Sequence, residues 1–474
     1  MPNDWADFGV DLHLELDASH GRRAGLERAL RDAIRDGRLP PSTRLPATRA
    51  LAAELRLSRG TVSAAYDQLV AEGWLVARVG SGTEVGPLRR VAPPPATPPP
   101  GPPPFRYDLR PGSPDVGLFP VTAWLRATRR ALAVAPAEAY GYGDPRGRPE
   151  LRSALAGYLG RARGVLADPE RIVVTTGYVQ ALVLLTTVLR DAGTPSLAME
   201  DPGFGFHREV VRRHGGTLLP LPVDDRGART DLLGAGSLAG VGAAVVTPAH
   251  QFPTGVTLHP ARRHALTDWA RATGGLVVED DYDGEFRYDR QPVGAVQGTA
   301  CEQVAYVGTA AKALGPALRL AWLVLPARLV DPVVDAKRHL DLHTEAIGQL
   351  ALADLIATHG YDRQVRTVRR RYRQRRDLLL GRLGGRFILG GISAGLHATV
   401  LLPPDGPPEA EVLAAAAARG LALDGLGSHR HRPEGQPPGL VVGYARPPSH
   451  AYPAAVDVLA RVLADLGARP RPGP

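Results

Sequence analysis

Between residues 87 and 104 the sequence reads Pro-Leu-Arg-Arg-Val-Ala-Pro-Pro-Pro-Ala-Thr-Pro-Pro-Pro-Gly-Pro-Pro-Pro. Such a run cannot form a helix or a central strand, because proline lacks the N–H and fixes φ. It reads as a semi-rigid polyproline spacer, roughly 50–60 Å long if extended. Patterned sequence lies on both sides, so the run is a linker and not a tail. Three segments are therefore expected: residues 11–86, the linker 87–104, and residues 105–470.

With 474 residues, 44% of them apolar, the chain has enough material for two or three domains and a large core. The single cysteine, Cys301, excludes an internal disulfide framework and fits a reducing compartment. No run reaches about 18 uninterrupted apolar residues, so no membrane span is expected. Met1 to Val10 is acidic and has no apolar signal core, which makes the cytoplasm the expected location. The net charge of +9 favours an anionic partner only weakly. Over residues 1–86, eleven arginines face twelve acids, so any nucleic-acid role there rests on where the arginines sit.

Residues 22–36 carry Leu26, Leu30, Ala33 and Ile34 on one helical face, and Gly37 with Pro40-Pro41 ends the helix. A second helix follows Pro46, with Leu51, Ala52 and Leu55 apolar. Ser58 is a natural N-cap for a third. Along that third helix Val62, Ala65, Tyr66, Leu69 and Val70 face a core, leaving Arg59, Gly60, Ser63 and Asp67 outward. Trp74–Arg78, the Val79–Gly82 turn and Thr83–Val85 form a hairpin. Two short helices, a longer third and a hairpin make a winged helix-turn-helix, whose third helix enters the major groove of duplex DNA.

Residues 105–470 alternate short apolar runs with amphipathic stretches: Arg171–Thr175, Ser196–Glu200, Val241–Thr247, Leu276–Asp280, Val304–Gly308 and Leu320–Leu325. That is an α/β pattern. The chain has two lysines, Lys312 and Lys337. Lys312 follows an apolar strand, between Thr309, which offers a hydroxyl, and Arg319, whose guanidinium suits a phosphate. Lys337 lies in a helical Asp-Ala-Lys-Arg context and reads as surface. A lysine so held suits a Schiff base with pyridoxal 5'-phosphate.

That cofactor also needs a carboxylate for its ring nitrogen. The strand Leu276–Tyr282 ends in acids, and alternation puts Asp280 and Tyr282 on one face, with Asp281 on the other. Asp280 then meets the ring nitrogen and Tyr282 the ring's phenolic oxygen. Strand, Gly177 turn and helix in Val173–Leu182 suit a phosphate cup, with the backbone N–H groups of Tyr178 and Val179 as donors. Phe204 stands after a strand end, where it would stack on the ring.

Two resemblances follow from these strings. Leu45–Ala52, Leu57–Val62 and Ala71–Leu75 resemble the GntR-type regulators, which implies DNA contacts by Arg49, Ser58, Arg59, Gly60, Thr61 and the wing-tip Gly80. Thr247–Gly255, Glu279–Phe286 and Lys312–Arg319 stand in the order and spacing of fold-type I aminotransferases. With the N-terminal module they resemble the MocR/GabR family over residues 11–460. The resemblance implies a winged helix-turn-helix plus a fold-type I aminotransferase-like large domain and a small C-terminal α+β domain. It also implies that Tyr142 reaches the phosphate of a neighbouring subunit, hence a homodimer.

The sequence departs from that pattern in places. Tyr178 and Val179 stand where the family often has a hydroxyl or Gln, and Phe252 where aminotransferases carry Asn. Three residues before Tyr444, where aminotransferases place the arginine that binds the substrate carboxylate, stands Val441. Arg430, Arg432 and Arg446 are the candidates to replace it. The arginine-rich stretch Arg366–Arg376 reads mainly as the solvated side of a long helix, with contact to DNA phosphates as the alternative. Three functions remain open: a regulator that senses an amine, an amino acid or the cofactor through aldimine chemistry at Lys312; a working aminotransferase with an accessory DNA-binding head; and a plain repressor with an empty aminotransferase shell.

Overall fold

The computed structural model describes residues 21–78, 82–87, 105–288 and 293–467. The chain divides into two compact units, 1–103 and 104–474. The wing-tip Gly80 and most of the proline-rich run lie outside the described residues.

The first unit holds helices Arg22–Arg35, Thr48–Glu54 and Arg59–Ala71, then strands β1 (Leu75–Arg78) and β2 (Gly82–Val85). β1 and β2 pair antiparallel, Leu75 opposite Val85 and Arg78 opposite Gly82. One core joins these elements: Leu26, Leu30 and Ala33 of the first helix, Leu51 of the second, Val62, Ala65 and Leu69 of the third, and Leu75 and Val85 of the hairpin. An ionic clamp adds to it, with Arg31 donating from Nε and Nη2 to the two carboxylate oxygens of Glu72 at 2.8 and 2.7 Å.

In the second unit, β3 (Tyr107–Asp108) precedes a mixed sheet. Its strands are β4 (Ile172–Thr175), β5 (Ser196–Asp201), β6 (Thr217–Asp224), β7 (Gly227–Ala228), β8 (Ala243–Val246), β9 (Leu276–Asp281), β10 (Val304–Thr309) and β11 (Ala321–Val324). Among the described residues the order is β4-β11-β10-β9-β8-β5-β6-β7. The run β10-β9-β8-β5-β6 is parallel. β11 runs antiparallel to both β4 and β10. Strand alternation divides the side chains between two cores. Ile172, Val174, Tyr306, Trp322 and Val324 enter one; Val173, Ala305, Val307 and Leu323 enter the other. Burial on both faces explains why these strands read as unbroken apolar runs.

A smaller antiparallel sheet follows, with β12 (Ile388–Gly390), β13 (His397–Leu401), β15 (Asp424–Gly425) and β16 (Gly439–Gly443) in the order β12-β13-β16-β15. A short strand, β14 (Leu421–Ala422), pairs with β3. Together the elements form a winged helix-turn-helix plus a fold-type I aminotransferase fold with a small C-terminal α+β part. Among the described residues, no helix is long and apolar enough to cross a membrane.

Two readings of the sequence need correction. Lys337, expected at the surface, is fully buried (0% exposed). The helix Ala327–Asp341 turns that residue inward, where its ammonium reaches Asp341 one turn on at 2.9 Å and Thr344 at 3.0 Å. The arginine-rich stretch lies on the helix Gly360–Leu383 but is not all solvated. Arg375 is buried, donating to Asp115 at 2.5 Å and to the Ala445 carbonyl at 2.7 Å. Arg366, Arg370, Arg371 and Arg373 are exposed.

Candidate functional site

The C-terminal ends of the parallel strands open into a cavity of about 400 Å³. Lys312, Asp280, Tyr282, Thr309, Arg319, Gly177, Tyr178, Val179 and Phe204 all line it. Ligands of open α/β sheets bind at such strand ends.

One end of the cavity suits a phosphate. The helix Tyr178–Asp191 begins there, and its first N–H groups have no partner carbonyl within their own helix. Gly177, just before it, has φ +121°. A Cβ at Gly177 would lie 2.7 Å from Arg319 Nη2, so only glycine lets the guanidinium lie over the helix start. Thr309 completes this end, its hydroxyl oxygen accepting from Ala311 N at 3.1 Å.

The acids at the end of β9 have different partners. Asp281 is buried against Arg163, with Nε to Oδ2 at 2.6 Å and Nη2 to Oδ1 at 3.0 Å, and it accepts from the Tyr306 hydroxyl at 2.8 Å. Asp280 lines the cavity without such a guanidinium. Burial pushes its carboxyl well above the usual range, opposed by the charge of Lys312. A cationic N–H donor in the cavity would relieve that cost. Lys312 is half-buried, and its Nζ donates to the Gly112 carbonyl at 2.5 Å and lies 5.9 Å from the Tyr282 ring centre. Burial lowers its pKa from the usual lysine value, partly offset by Asp283 and Asp280. The Tyr282 hydroxyl donates to the His250 carbonyl at 3.2 Å, and the His250 ring pairs with Asp283 at 2.8 Å.

These groups fit pyridoxal phosphate: a glycine cradle with a guanidinium and a helix start, a buried carboxylate short of a cationic donor, and an amine between them. Phe204 stands at the wall, 39% exposed, with Phe252 edge-on at 5.6 Å. Tyr142 does not line the cavity; it is 90% exposed, its ring 6.1 Å from that of His343.

Comparison with known proteins bears on both units. Residues 23–85 match the model for bacterial regulatory proteins of the gntR family. Residues 108–422 match the aminotransferase class I and II model. The HTH-type pyridoxine biosynthesis transcriptional regulator PdxR of Corynebacterium glutamicum is 33% identical over 93% of this chain and 94% of its own. The probable rhizopine catabolism regulatory protein MocR of Rhizobium meliloti is 34% identical over 78% of each. The chain belongs to the MocR/GabR family. Among solved structures, LysN, the α-aminoadipate aminotransferase of Thermus thermophilus complexed with N-(5'-phosphopyridoxyl)-L-leucine, superposes with a TM-score of 0.66. It shares 25% identity, covering 76% of this chain and 92% of that one. As a MocR/GabR member the protein is a DNA-binding regulator built on a fold whose neighbours use pyridoxal or pyridoxamine phosphate.

In this MocR/GabR chain several lining residues were given no role from sequence: Glu200, His207, Arg208 and Thr247; Phe252, noted there as a departure, also lines the cavity. Glu200, next to last in β5, is buried and accepts from the Thr247 hydroxyl at 2.6 Å; burial lifts its carboxyl to about 7. His207 and Arg208 sit in the first turn of the helix Gly205–Arg213, directly after Phe204, and that adjacency was the signal available. His207 packs on Tyr178, ring centres 4.4 Å apart, and burial lowers it to about 3. Arg208 is buried and spends its donors on the carbonyls of Gly203 (3.0 Å), His429 (2.9 Å) and Arg430 (3.2 Å). None of Arg430, Arg432 and Arg446 lines the cavity. Arg446 pairs with Asp108, and Val441 is buried within β16.

In the N-terminal unit the Ser58 hydroxyl accepts from Thr61 N at 3.0 Å and caps the third helix. Arg49, Ser58, Arg59 and Gly60 are exposed and Thr61 is half-buried. Arg49 and Arg59 carry no ion pair among the described residues. Gly80 lies outside those residues.

Proposed function

We propose that the protein is a transcription regulator that binds an operator duplex through the helix Arg59–Ala71 and pyridoxal 5'-phosphate in the cavity at Lys312, cavity occupancy setting its action on DNA. The observation that carries this reading is the convergence of Lys312, Asp280 and the Gly177–Arg319 cradle on one cavity. When bound, the cofactor supplies an aldehyde that condenses with primary amines and a ring that draws electrons. Arg319, Thr309 and the N–H groups of Tyr178 and Val179 hold the phosphate. Asp280 keeps a proton on the ring nitrogen, and Tyr282 orients the ring's oxygen. Burial lowers the pKa of Lys312, the direction a nucleophilic amine requires. Phe204 covers a ring face. Tyr142 belongs to the cavity of a second copy, so the working unit is a homodimer, located in the cytoplasm. On the N-terminal unit Arg49, Ser58, Arg59, Gly60, Thr61 and Gly80 meet the DNA, and residues 87–104 join the two units.

The signal is best read as the cofactor itself or a simple amine. Of the two arginines at the cavity, Arg319 serves the phosphate and Arg208 is tied to carbonyl oxygens. Among the described residues, an amino-acid carboxylate finds no free guanidinium there. The relative named for pyridoxine biosynthesis supports the same choice. The second reading, a turning-over aminotransferase, draws on solved neighbours such as LysN.

The test is sequencing of DNA captured by the purified full chain with and without pyridoxal phosphate, beside turnover assays with amino acids and 2-oxoglutarate. A defined operator whose occupancy changes with pyridoxal phosphate supports the proposal. Sustained multiple turnover with no selective DNA capture overturns it.

A further inference from the structure

Three aspartates stand at the end of β9 and just after it, and each is answered differently. Asp281 has Arg163, and Asp280 faces the cavity. Asp283 is buried, 2% exposed, and its partner is the equally buried His250 ring, with Nδ1 2.8 Å from Oδ2. Among the described residues no arginine or lysine pairs with Asp283. A carboxylate buried beside an imidazole alone is costly unless a cation faces it.

The surroundings fix this pair in one arrangement. His250 Nε2 is buried without a partner, and a Cβ on Gly255 would stand 3.3 Å from it. An N–H on that side would find no acceptor, so the ring's proton belongs on Nδ1, donated to Asp283. Gly395 has φ +75°, and a Cβ there would touch the His250 ring and stand 2.7 Å from Asp283 Oδ2, so only glycine suits that approach.

Tyr282 joins the pair to the cavity. Its hydroxyl lies 3.3 Å from His250 Nδ1, and its ring centre is 5.9 Å from Lys312 Nζ. Burial, then the charge of Asp283, raise that phenol well above its usual value, so it stays a donor. Behind the pair stand His397 of β13, its ring centre 4.8 Å from that of His250, and Tyr288 and Tyr444, which donate to the Gly395 carbonyl at 2.5 and 2.8 Å. Burial holds His397 well below the usual histidine value and both phenols well above theirs, so none of the three is a cation. Arg376, beyond Tyr444, reaches Ser393 Oγ at 3.4 Å. On the cavity side stand Asp280, Glu200, His207, Arg208, Arg319 and Lys312. Arg208 is tied to carbonyls and Arg319 lies over Gly177, which leaves Lys312 as the cation for Asp283. Against burial, which lowers Lys312, Asp283 and then Asp280 raise it.

We propose that Asp283, oriented by His250, is a positioning residue of the lysine cavity: its carboxylate is the counter-charge that holds a proton on the Lys312 nitrogen, in the free amine and in its linkage to the cofactor. The second half rests on the occupancy proposed above. Asp283 does not line the cavity and acts through its charge, whereas Asp280 serves the ring nitrogen. A protonated linkage is the form that an incoming amine displaces, so the pair sets the pH range over which the protein senses amines.

The test is a pH titration of two signals on the full chain: the visible band of the protein loaded with pyridoxal phosphate, and the acetylation of Lys312 in the cofactor-free protein, read by peptide mass spectrometry. In Asp283→Asn both midpoints should fall by about one pH unit, the scale of a lost opposite charge nearby. His250→Gln keeps the charge but releases it, and should lower both midpoints by less. A pair that only holds the fold together would lower the melting temperature and leave the midpoints in place; that result, or a rise in either midpoint, overturns the proposal. If Asp283→Asn does not fold, His250→Gln decides by the same criterion. If the parent shows no visible band, the occupancy reading fails, and the acetylation midpoints still judge Asp283.

Discussion

The Arg319 guanidinium lies across residue 177, with Nη2 2.7 Å from where a Cβ would stand. Gly177→Ala therefore has two costs. Its φ of +121° disfavours alanine by about 1–3 kcal/mol, and the methyl displaces the guanidinium from the helix start. The expected outcome is a folded protein of lower melting temperature that binds pyridoxal phosphate at least tenfold more weakly, measured by absorbance titration. Unchanged affinity would remove the phosphate end of the cavity from that role.

Lys312→Ala should lose the visible absorbance of the lysine-bound cofactor while its basal operator affinity stays near the parent's. Borohydride reduction and peptide mapping of the parent should place the adduct on Lys312. Lys337 is buried among Asp341, Gln180 and Thr344, with no access to the Lys312 cavity. An adduct on Lys337 would contradict the assignment.

Two changes at the third N-terminal helix separate folding from recognition. Ser58→Ala removes the cap on Thr61 N and should lower the stability of that unit by about 1 kcal/mol. Arg59→Ala, at an exposed position without an ion pair among the described residues, should leave thermal stability unchanged and weaken DNA binding. Its reading depends on the salt series: a slope reduced by about one marks a phosphate contact, and relaxed preference at one base pair marks a base contact. A variant indistinguishable from the parent in both would exclude Arg59 from the interface.

Glu285 gives a pH dependence. Burial raises its carboxyl from 4.5 to about 7, against the Tyr158 hydrogen bond, which lowers it. Between those values the folded chain keeps a proton that the unfolded chain releases. The stability it contributes is full below 4.5, falls as pH rises to about 7, and is flat above. Glu285→Gln keeps an acceptor for the tyrosines and removes the titration. Denaturant midpoints of parent and variant should diverge over that window, the parent losing ground as pH rises. Parallel curves would show that Glu285 is ionised normally.

Local patterns were legible wherever one residue's neighbours in sequence are also its neighbours in space. The apolar runs at 171–175, 196–200, 276–280 and 304–308 match β4, β5, β9 and β10 because strands buried on both faces need little else. The stripe Val62, Ala65, Tyr66 and Leu69 packs inward for the same kind of reason. β6 gave no such run, since its exposure alternates and prolines 220 and 222 interrupt it.

The sequence by itself determined the two kinds of module, the strand end that carries Asp280, the turn after β10 that carries Lys312, and the glycine before the helix Tyr178–Asp191. Periodicity and backbone geometry are local properties, and they act within a few residues. Tertiary structure alone decided which charges meet: Arg163 with Asp281 across 118 positions, Arg375 with Asp115 across 260, and Lys337 inside when its neighbours read as surface. It also decided that Arg208 is tied to backbone carbonyls while Arg366 stays open. A buried charge is stable only beside a partner, and that partner is chosen by packing between distant segments, which no local pattern encodes.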